Sequence, residues 1–526
     1  MTSRLVKIEI NPEFKAALDL MENTNKNVFI TGRAGTGKST LLEYFRQHTK
    51  KQVVVLAPTG VAALNVRGQT IHSFFRFKPD ITLSKVARII KDDRKNIYKK
   101  IDALVIDEIS MVRADLLDCV DKFLRLNRSN KNLPFGGLQM IFIGDLYQLP
   151  PVITSREKEI FRTHYQSGYF FSAHVFDSLK MELMELEKIY RQKDQKFIDL
   201  LNAIRNNTVG EDDLARLNTR VNQDFEPRPD DFYVHLTPTK RASQEINQRQ
   251  LEKIKGKAFH HRGNIEGRFE ESYLPAEIDL YLKKGAQVML LNNDSVGRWV
   301  NGSIGKVSAI EKGEDKSDPA TVLVELANGN IEAVTPFTWE IFNYRYNPQL
   351  QQLESEITGS FTQYPLKLSW SVTIHKSQGK TFDKVVVDIG NGTFAHGQIY
   401  VALSRCTSFE GLVLKKLIHK KHIFMDWKVV DFITKFQYRR SEEKLPLERK
   451  IEILKKALAD QTSLKITYLK TSDEKSSRLI QPLYVGELEY GGKTFLGVEA
   501  FCFARRDKRV FRLDRILSIS EAPTAL

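Results

Sequence analysis

Short apolar runs punctuate the first third of the chain: "VFI" at 28–30, "VVVLA" at 53–57, "ALVI" at 103–106 and "MIFI" at 140–143. Each is closed by glycine or polar residues, and runs without alternation predict strands buried on both faces, as in a parallel sheet. Between the third and fourth runs, "EISMVRADLLDCVDKFLRL" repeats its apolar residues at helical spacing (Ile109, Val112, Leu116, Val120, Phe123), a stripe expected to pack into a core. Past Arg191 a second α/β pattern begins. "FYVHLTPTKRASQEINQRQL" reads as strand, polar loop and helix, and "SVTIHKSQGKTFDKVVVDIG" as strand, loop and strand. "GQIYVALSRCTS" follows, apolar at Ile399, Val401, Ala402 and Leu403. Within this half, "TVLVELANGNIEAV" predicts a hairpin turning at Asn328-Gly329. A charged run ends near Pro446, and beyond it an amphipathic helix, "LERKIEILKKAL", precedes several short strands. The expected organisation is α/β: two lobes at 1–190 and 191–438, a β insertion at 301–364, a linker at 439–447 and a small β-rich domain at 448–526.

Composition narrows the class. The 526 residues contain 41% hydrophobic and 28% charged residues, as a chain with a real core should. No apolar run approaches the roughly 18 residues of a membrane span. The opening "MTSRLVKIEI" has neither a signal-peptide core nor a transit-peptide bias. Cys119, Cys406 and Cys502 are too scattered for a disulfide framework, so a reducing cytoplasm is expected. A net charge of +15, from 80 Lys plus Arg against 65 Asp plus Glu, favours polyanionic partners, nucleic acid above all.

The strongest chemical signal is "GRAGTGKST", which follows the first apolar run. Gly32, Gly37, Lys38 and Ser39 satisfy G-x-x-x-x-G-K-[ST]. In such a loop, backbone N–H groups of Ala34, Gly35, Thr36, Gly37 and Thr40 turn around phosphate oxygens. Lys38 adds a point charge, and Ser39 is a ligand for Mg2+. The third run ends in Asp107-Glu108: Asp107 is the expected metal partner and Glu108 the base that orients the attacking water. The fourth ends in Gly144-Asp145 and leads to Gln148, whose amide can bond both a γ-phosphate and that water. "GKT" at 379–381 resembles a second phosphate loop, but the glycine required five positions earlier is Ile374. That stretch serves another purpose. Polar loops at Pro58-Thr59 and Thr70-Ile71-His72 suit phosphodiester contacts.

The set "GRAGTGKS", "APTGVAALN", "TIHSFF", "VIDEISMV", "GDLYQLPPV", "YRQ", "LTPTKRASQEIN", "VNGSIGKV", "TIHKSQGKTF" and "YVALSRCTS" resembles the superfamily 1 helicases of the RecD-like branch. It is nearest to the petite-integration-frequency helicases. The resemblance implies two RecA-like lobes, ATP with Mg2+, and 5′-to-3′ movement on single-stranded DNA with unwinding of forked or structured duplexes in DNA repair and recombination. It casts Arg191 and Arg405 as arginine fingers. "IHKSQGKTF" becomes a loop coupling DNA to nucleotide, with His375 and Ser377 facing DNA and Gln378 and Gly379 approaching the γ-phosphate. Pro58, Thr59, Thr70, His72, Thr237 and Thr239 complete the expected DNA contacts. The insertion resembles the family's small β-barrel. A short insert at 65–79, with Phe74, Phe75 and Phe77, is either a strand-separating wedge or local core. The family places a glutamine ahead of the phosphate loop to read adenine, and Phe14 stands there, which leaves selectivity among nucleoside triphosphates open. The C-terminal segment resembles the WYL domain, with Thr494-Phe495-Leu496 in place of the eponymous residues. That similarity implies a bacterial protein with a nucleic-acid or nucleotide ligand at Arg478, Arg505, Arg506, Arg512 and Arg515. A monomer is expected. Two other readings stay open: an ATP-switched nucleic-acid-binding regulator, and an RNA helicase.

Overall fold

The computed structural model describes residues 10–521, apart from 90–94, 154–156, 158–160, 162, 314, 316–317, 348, 391, 393–394, 471–472 and 491. It divides into two compact units. One runs to Ile204 and from Gly210 to Phe424; the other comprises Arg205–Val209 and the chain from Met425.

The larger unit begins with a six-stranded parallel sheet, ordered Gln69–Thr70, Val53–Ala57, Ala103–Ile106, Gln139–Ile143, Asn27–Gly32, Met181–Leu186. Val28, Ile30, Val55, Val105 and Ile141 form its core with Leu41, Leu42 and Phe45 of the helix Lys38–His48. Because every strand points the same way, the loops after Gly32, Ala57, Ile106 and Ile143 emerge along one carboxyl edge, where ligands bind in sheets of this kind. The second lobe repeats the design with four parallel strands: Ser371–Thr373, Val234–Thr237, Val385–Val387, Leu412–Leu414.

Antiparallel sheets are inserted between its strands. Five strands, Ile331–Val334, Thr321–Leu326, Ile304–Glu311, Gln287–Leu290 and Leu366–Leu368, make one sheet, with Asn328-Gly329 at the hairpin turn and Gly329 at φ 87°. The long hairpin Phe337–Asn347 and Gln352–Gln363 pairs further with Asn264–Gly267, and Phe259–Arg262 pairs with Asp279–Leu282. The inserted β structure therefore starts about forty residues before the expected 301, since Phe259 is already in a strand. The strand Asn264–Gly267 is exposed throughout, so no buried face writes alternation into its sequence.

The aromatic cluster at 65–79 is core. Phe74 and Phe75 lie on the helix Ile71–Phe75, and Phe75 and Phe77 pack edge-on to Phe123 at 5.2 and 5.7 Å. Tyr98 meets the same ring at 4.9 Å. All three phenylalanines are buried, so they present no wedge to a duplex.

The smaller unit holds a five-stranded antiparallel sheet ordered Asp507–Arg512, Lys493–Cys502, Lys475–Tyr490, Leu464–Leu469, Ile516–Glu521. Leu454 and Ala457 of the helix Leu447–Ala459 close its core over Ile466, Ile480, Val498 and Ala500. The stretch expected as a linker is largely helical: Trp427–Lys444 is one helix, and Ser441 Oγ donates to Ile516 O at 3.1 Å. Its buried Val429, Val430, Ile433 and Phe436 outweigh the charged run, which covers only the solvent side.

Candidate nucleotide site and nucleic-acid contacts

The phosphate loop leaves its strand at Gly32 and enters its helix at Lys38. Gly35 and Gly37 take φ of 82° and 86°, left-handed values that aim consecutive N–H groups inward and that L side chains rarely adopt. Lys38 Nζ donates to Gly32 O at 2.7 Å and Arg33 O at 3.0 Å, so its charge sits at the loop's mouth. Thr36 is buried and donates from Oγ1 to Arg33 O at 2.9 Å. Ser39 and Thr40 occupy the first turn of the helix, where the dipole adds positive potential.

Two adjacent carboxyl groups face this loop. Asp107 follows the strand Ala103–Ile106, and Glu108 takes φ 50°, ψ 42°, an unusual conformation for a non-glycine residue. Burial, reinforced by the neighbouring Glu108 charge, pushes Asp107 up to about 7. Burial also raises Glu108, while Lys38, Arg405 and a hydrogen bond from Gln378 oppose that shift. That bond, Gln378 Nε2 to Glu108 Oε2 at 3.2 Å, carries the second lobe into the active centre. Gly379 follows at φ 77° with open space around it. Gln148 is buried and donates to Asp145 Oδ2 at 3.1 Å.

The two arginines differ. Arg191 is half-buried, its Cβ against Gly35, and donates from Nη1 to Ser404 O at 3.2 Å. Arg405 is only 1% exposed. It donates to Val401 O (2.9 Å), Lys380 O (3.3 Å), Ser377 O (3.4 Å) and Ser404 Oγ (3.0 Å). Burial and the repulsion of Arg191 hold its guanidinium down at about 9, with Glu108 and Asp145 opposing. Arg405 is thus embedded in its own lobe, joining the turn at Ser377–Lys380 to the helix Gln398–Leu403.

Several residues at this seam were not legible in the sequence. Gln192 donates to Ser404 O at 3.1 Å and Cys406 O at 2.9 Å. Tyr169 Oη meets His396 Nε2 at 3.1 Å, both buried. Tyr400 Oη accepts from Ala34 N at 2.9 Å. Their partners lie far away in the chain, and Tyr400 stands within an apolar run that reads as plain core.

The expected DNA contacts divide by exposure. Thr59 and Thr239 are exposed and cap equivalent helices, each after a strand and a proline, accepting from Ala62 N and Ala242 N, both at 3.3 Å. Pro58 lies partly open beside Thr59. Thr70, Thr237 and Ser377 are buried with their hydroxyls engaged: Thr70 with Tyr273 Oη at 2.6 Å, Thr237 with Thr239 O at 3.3 Å, and Ser377 with Ile374 O at 2.7 Å. The structure places these three hydroxyls inside the protein, each bonded to a protein partner. His72 and His375 are half-buried, and burial lowers the pKa of both. Phe14, in the first turn of the helix Pro12–Asn23, is 3% exposed in the core, its N–H capped by Asn11 Oδ1 at 2.8 Å.

Among the described residues, no helix is long and apolar enough to cross a membrane. Residues 9–214 match the PIF1-like helicase family and residues 449–521 the WYL domain. An ATP-dependent DNA helicase Pif1 of Bdellovibrio bacteriovorus is 34% identical over 82% of this chain and 93% of its own length. The ATP-dependent DNA helicase PIF1 of Emericella nidulans is 31% identical over 80% of this chain, which spans only 62% of that longer relative. Bacteroides sp. Pif1 in complex with ADP-AlF4 superposes with a TM-score of 0.75 at 35% identity, covering 83% of this chain and 98% of that one. Bacteroides Pif1 with ADP-AlF3 and single-stranded DNA gives 0.59 at 36% identity over the same shares. With one phosphate loop closed by a second RecA-like lobe, and relatives alike across most of its length, the chain belongs to the PIF1-like helicase family and carries a WYL domain toward its C-terminal end.

Proposed function

We propose that the chain is an ATP-dependent DNA helicase that moves 5′-to-3′ along single-stranded DNA and opens forked or structured duplexes in genome maintenance. The observation that carries this reading is the contact of Gln378 and Tyr400, from the lobe without a phosphate loop, with Glu108 and Ala34 of the lobe that has one. Nucleotide between the lobes then determines how closely they approach, and hydrolysis becomes relative motion. Lys38 and the loop amides from Gly35 onward bind the phosphates, the Ala34 N–H being given to Tyr400 instead, while Glu108 orients and deprotonates the attacking water and Arg191 and Arg405 stabilise charge that develops on the γ-phosphoryl group. Exposed Thr59 and Thr239, one on each lobe, supply hydroxyls and helix N-termini to phosphodiesters. The relative with ADP-AlF3 and single-stranded DNA lends support, because nucleotide and strand share one protein there.

The donor set fits a magnesium ion. A pair of adjacent carboxyl groups whose pKa values desolvation raises is one that a cation would stabilise in its charged form. Ser39 and Asp107 would hold the ion, whose charge would offset that of the phosphates. The protein is read as a cytoplasmic monomer.

The WYL domain is proposed to grip nucleic acid. Its turn at 503–506 and the strand that follows expose Arg505, Arg506, Lys508 and Arg509 beside Phe503 and Val510, the pairing of cations and apolar faces that suits single strands. Arg512 is a weaker candidate, already paired with Asp514 at 2.7 Å.

The test is unwinding of duplexes bearing either a 5′ or a 3′ single-stranded tail, with ATP turnover measured on DNA and on RNA. Opening only from the 5′ tail supports the proposal. Turnover without unwinding favours the regulator, and equal unwinding on RNA tails favours an RNA helicase.

A further inference from the structure

Three contacts converge on the short helix Gln398–Leu403 and the turn after it. At its start, Gly397 has φ 71°, and a Cβ there would lie 2.4 Å from Tyr147 O and 2.5 Å from Gln148 O. The helix is therefore pressed against the loop that carries Gln148. At its end, Ser404 O receives bonds from Arg191 and Gln192. Between them, Tyr400 Oη accepts the backbone N–H of Ala34 at 2.9 Å, where both residues are buried. Tyr400 also lies within electrostatic reach of both the Arg191 and the Arg405 guanidinium. Five residues further on is Arg405, whose Nε is bonded back to Val401 O of the same helix at 2.9 Å.

We propose that Tyr400 is a positioning residue for ATP hydrolysis: its hydroxyl ties the apex of the phosphate loop, at Ala34, to the helix that carries Arg405, and so sets the distance between loop and finger. This rests on the helicase reading above. A finger acts on charge that appears only in the transition state, so an error in its placement lowers kcat without weakening nucleotide binding. A buried tyrosine needs a partner for its hydroxyl in any protein, so packing alone would explain the ring. It would not explain why the partner is an amide of the phosphate loop, 366 positions away in the chain. Ala34 has its own side chain and is not one of the loop's left-handed glycines, so its N–H direction is set by this bond and by the turn.

Tyr400→Phe keeps the ring and removes only the hydroxyl. The expected result is a roughly tenfold fall in kcat for DNA-stimulated ATP hydrolysis, the effect of about 1.4 kcal/mol of lost positioning. KM for ATP should stay within about twofold, and the melting temperature within a degree or two. The parent chain and the variant are compared at saturating single-stranded DNA. An unchanged kcat overturns the inference. So does a fall in kcat matched by lost nucleotide affinity and a large drop in melting temperature, the signature of a merely structural tyrosine. A parent without DNA-stimulated turnover overturns the helicase reading and this inference with it.

Discussion

The side-chain amide of Gln378 donates to Glu108 Oε2 across 3.2 Å, joining a loop of the second lobe to the carboxylate proposed to activate water in the first. Glu108 is half-buried and its pKa is raised by desolvation, so this bond is one of few interactions that favour its ionised form. Gln378→Ala should cut kcat about tenfold with little change in KM for ATP, in steady-state assays with single-stranded DNA. Glu108→Gln should abolish turnover while nucleotide still binds, whereas Lys38→Ala should lose both. Near-normal turnover by Glu108→Gln would remove it from the role of base.

Arg191 and Arg405 should both lose kcat on substitution by alanine, within the range of about 10³–10⁵ known for fingers. Their stabilities should differ. Arg405 makes four hydrogen bonds inside its own lobe, and its loss removes a charged donor from each of the carbonyls of Ser377, Lys380 and Val401. Thermal unfolding should show Arg405→Ala several degrees less stable than the parent and Arg191→Ala nearly unchanged.

Thr59→Ala and Thr239→Ala should weaken single-stranded DNA binding, and Thr70→Val, Thr237→Val and Ser377→Ala should lower the melting temperature instead. The two exposed threonines are also caps, each worth about 1 kcal/mol to its helix, so both quantities need measuring on every variant. For the parent, a log–log plot of affinity against salt should fall with a slope of about −0.7 per phosphate neutralised. DNA affinity lost only on changing the buried hydroxyls would reverse the assignment.

Lys367 offers a pH test. Burial, with repulsion from Lys380 and Lys376, pushes its ammonium down to about 7, below its value in the unfolded chain. Below pH 7 both states are charged and the full cost of burial falls on the folded protein. Between pH 7 and about 10 the unfolded state binds the extra proton, so this group's contribution to stability improves as pH rises. Lys367→Met should therefore raise the melting temperature most at pH 6 and progressively less toward pH 10. A gain independent of pH would mean that Lys367 stays charged throughout.

A chain ended at Phe424 should hydrolyse ATP at saturating single-stranded DNA but need more DNA to reach half-maximal rate. A chain ended at Arg440 should be aggregation-prone. It keeps most of the helix Trp427–Lys444 while losing the sheet that Ser441 and its apolar neighbours pack against. Identical DNA dependence with and without the WYL domain would rule out its role in grip.

The sequence by itself determined whatever depends on neighbours along the chain. The phosphate loop was legible because glycines at 32, 35 and 37, Lys38 and Ser39 meet within one turn, where local backbone geometry does the binding. Asp107-Glu108 was legible because buried parallel strands write continuous apolar runs and their ends are therefore marked. The resemblance also singled out Gln378, Arg191 and Arg405. Only the tertiary structure decided what those residues touch. Ala34 and Tyr400 meet across 366 positions, Gln378 and Glu108 across 270, and no local pattern records such a pairing. It also decided the fate of ambiguous side chains. Phe74, Phe75 and Phe77 are equally apolar on a wedge or in a core, and Phe123 and Tyr98 make them core. A threonine hydroxyl serves DNA or the backbone with the same chemistry, and burial assigns Thr70 and Thr237 to the protein while leaving Thr59 and Thr239 to solvent. Residue type fixes what a group can bond, but desolvation and distance, set only by the packed fold, decide what it does bond.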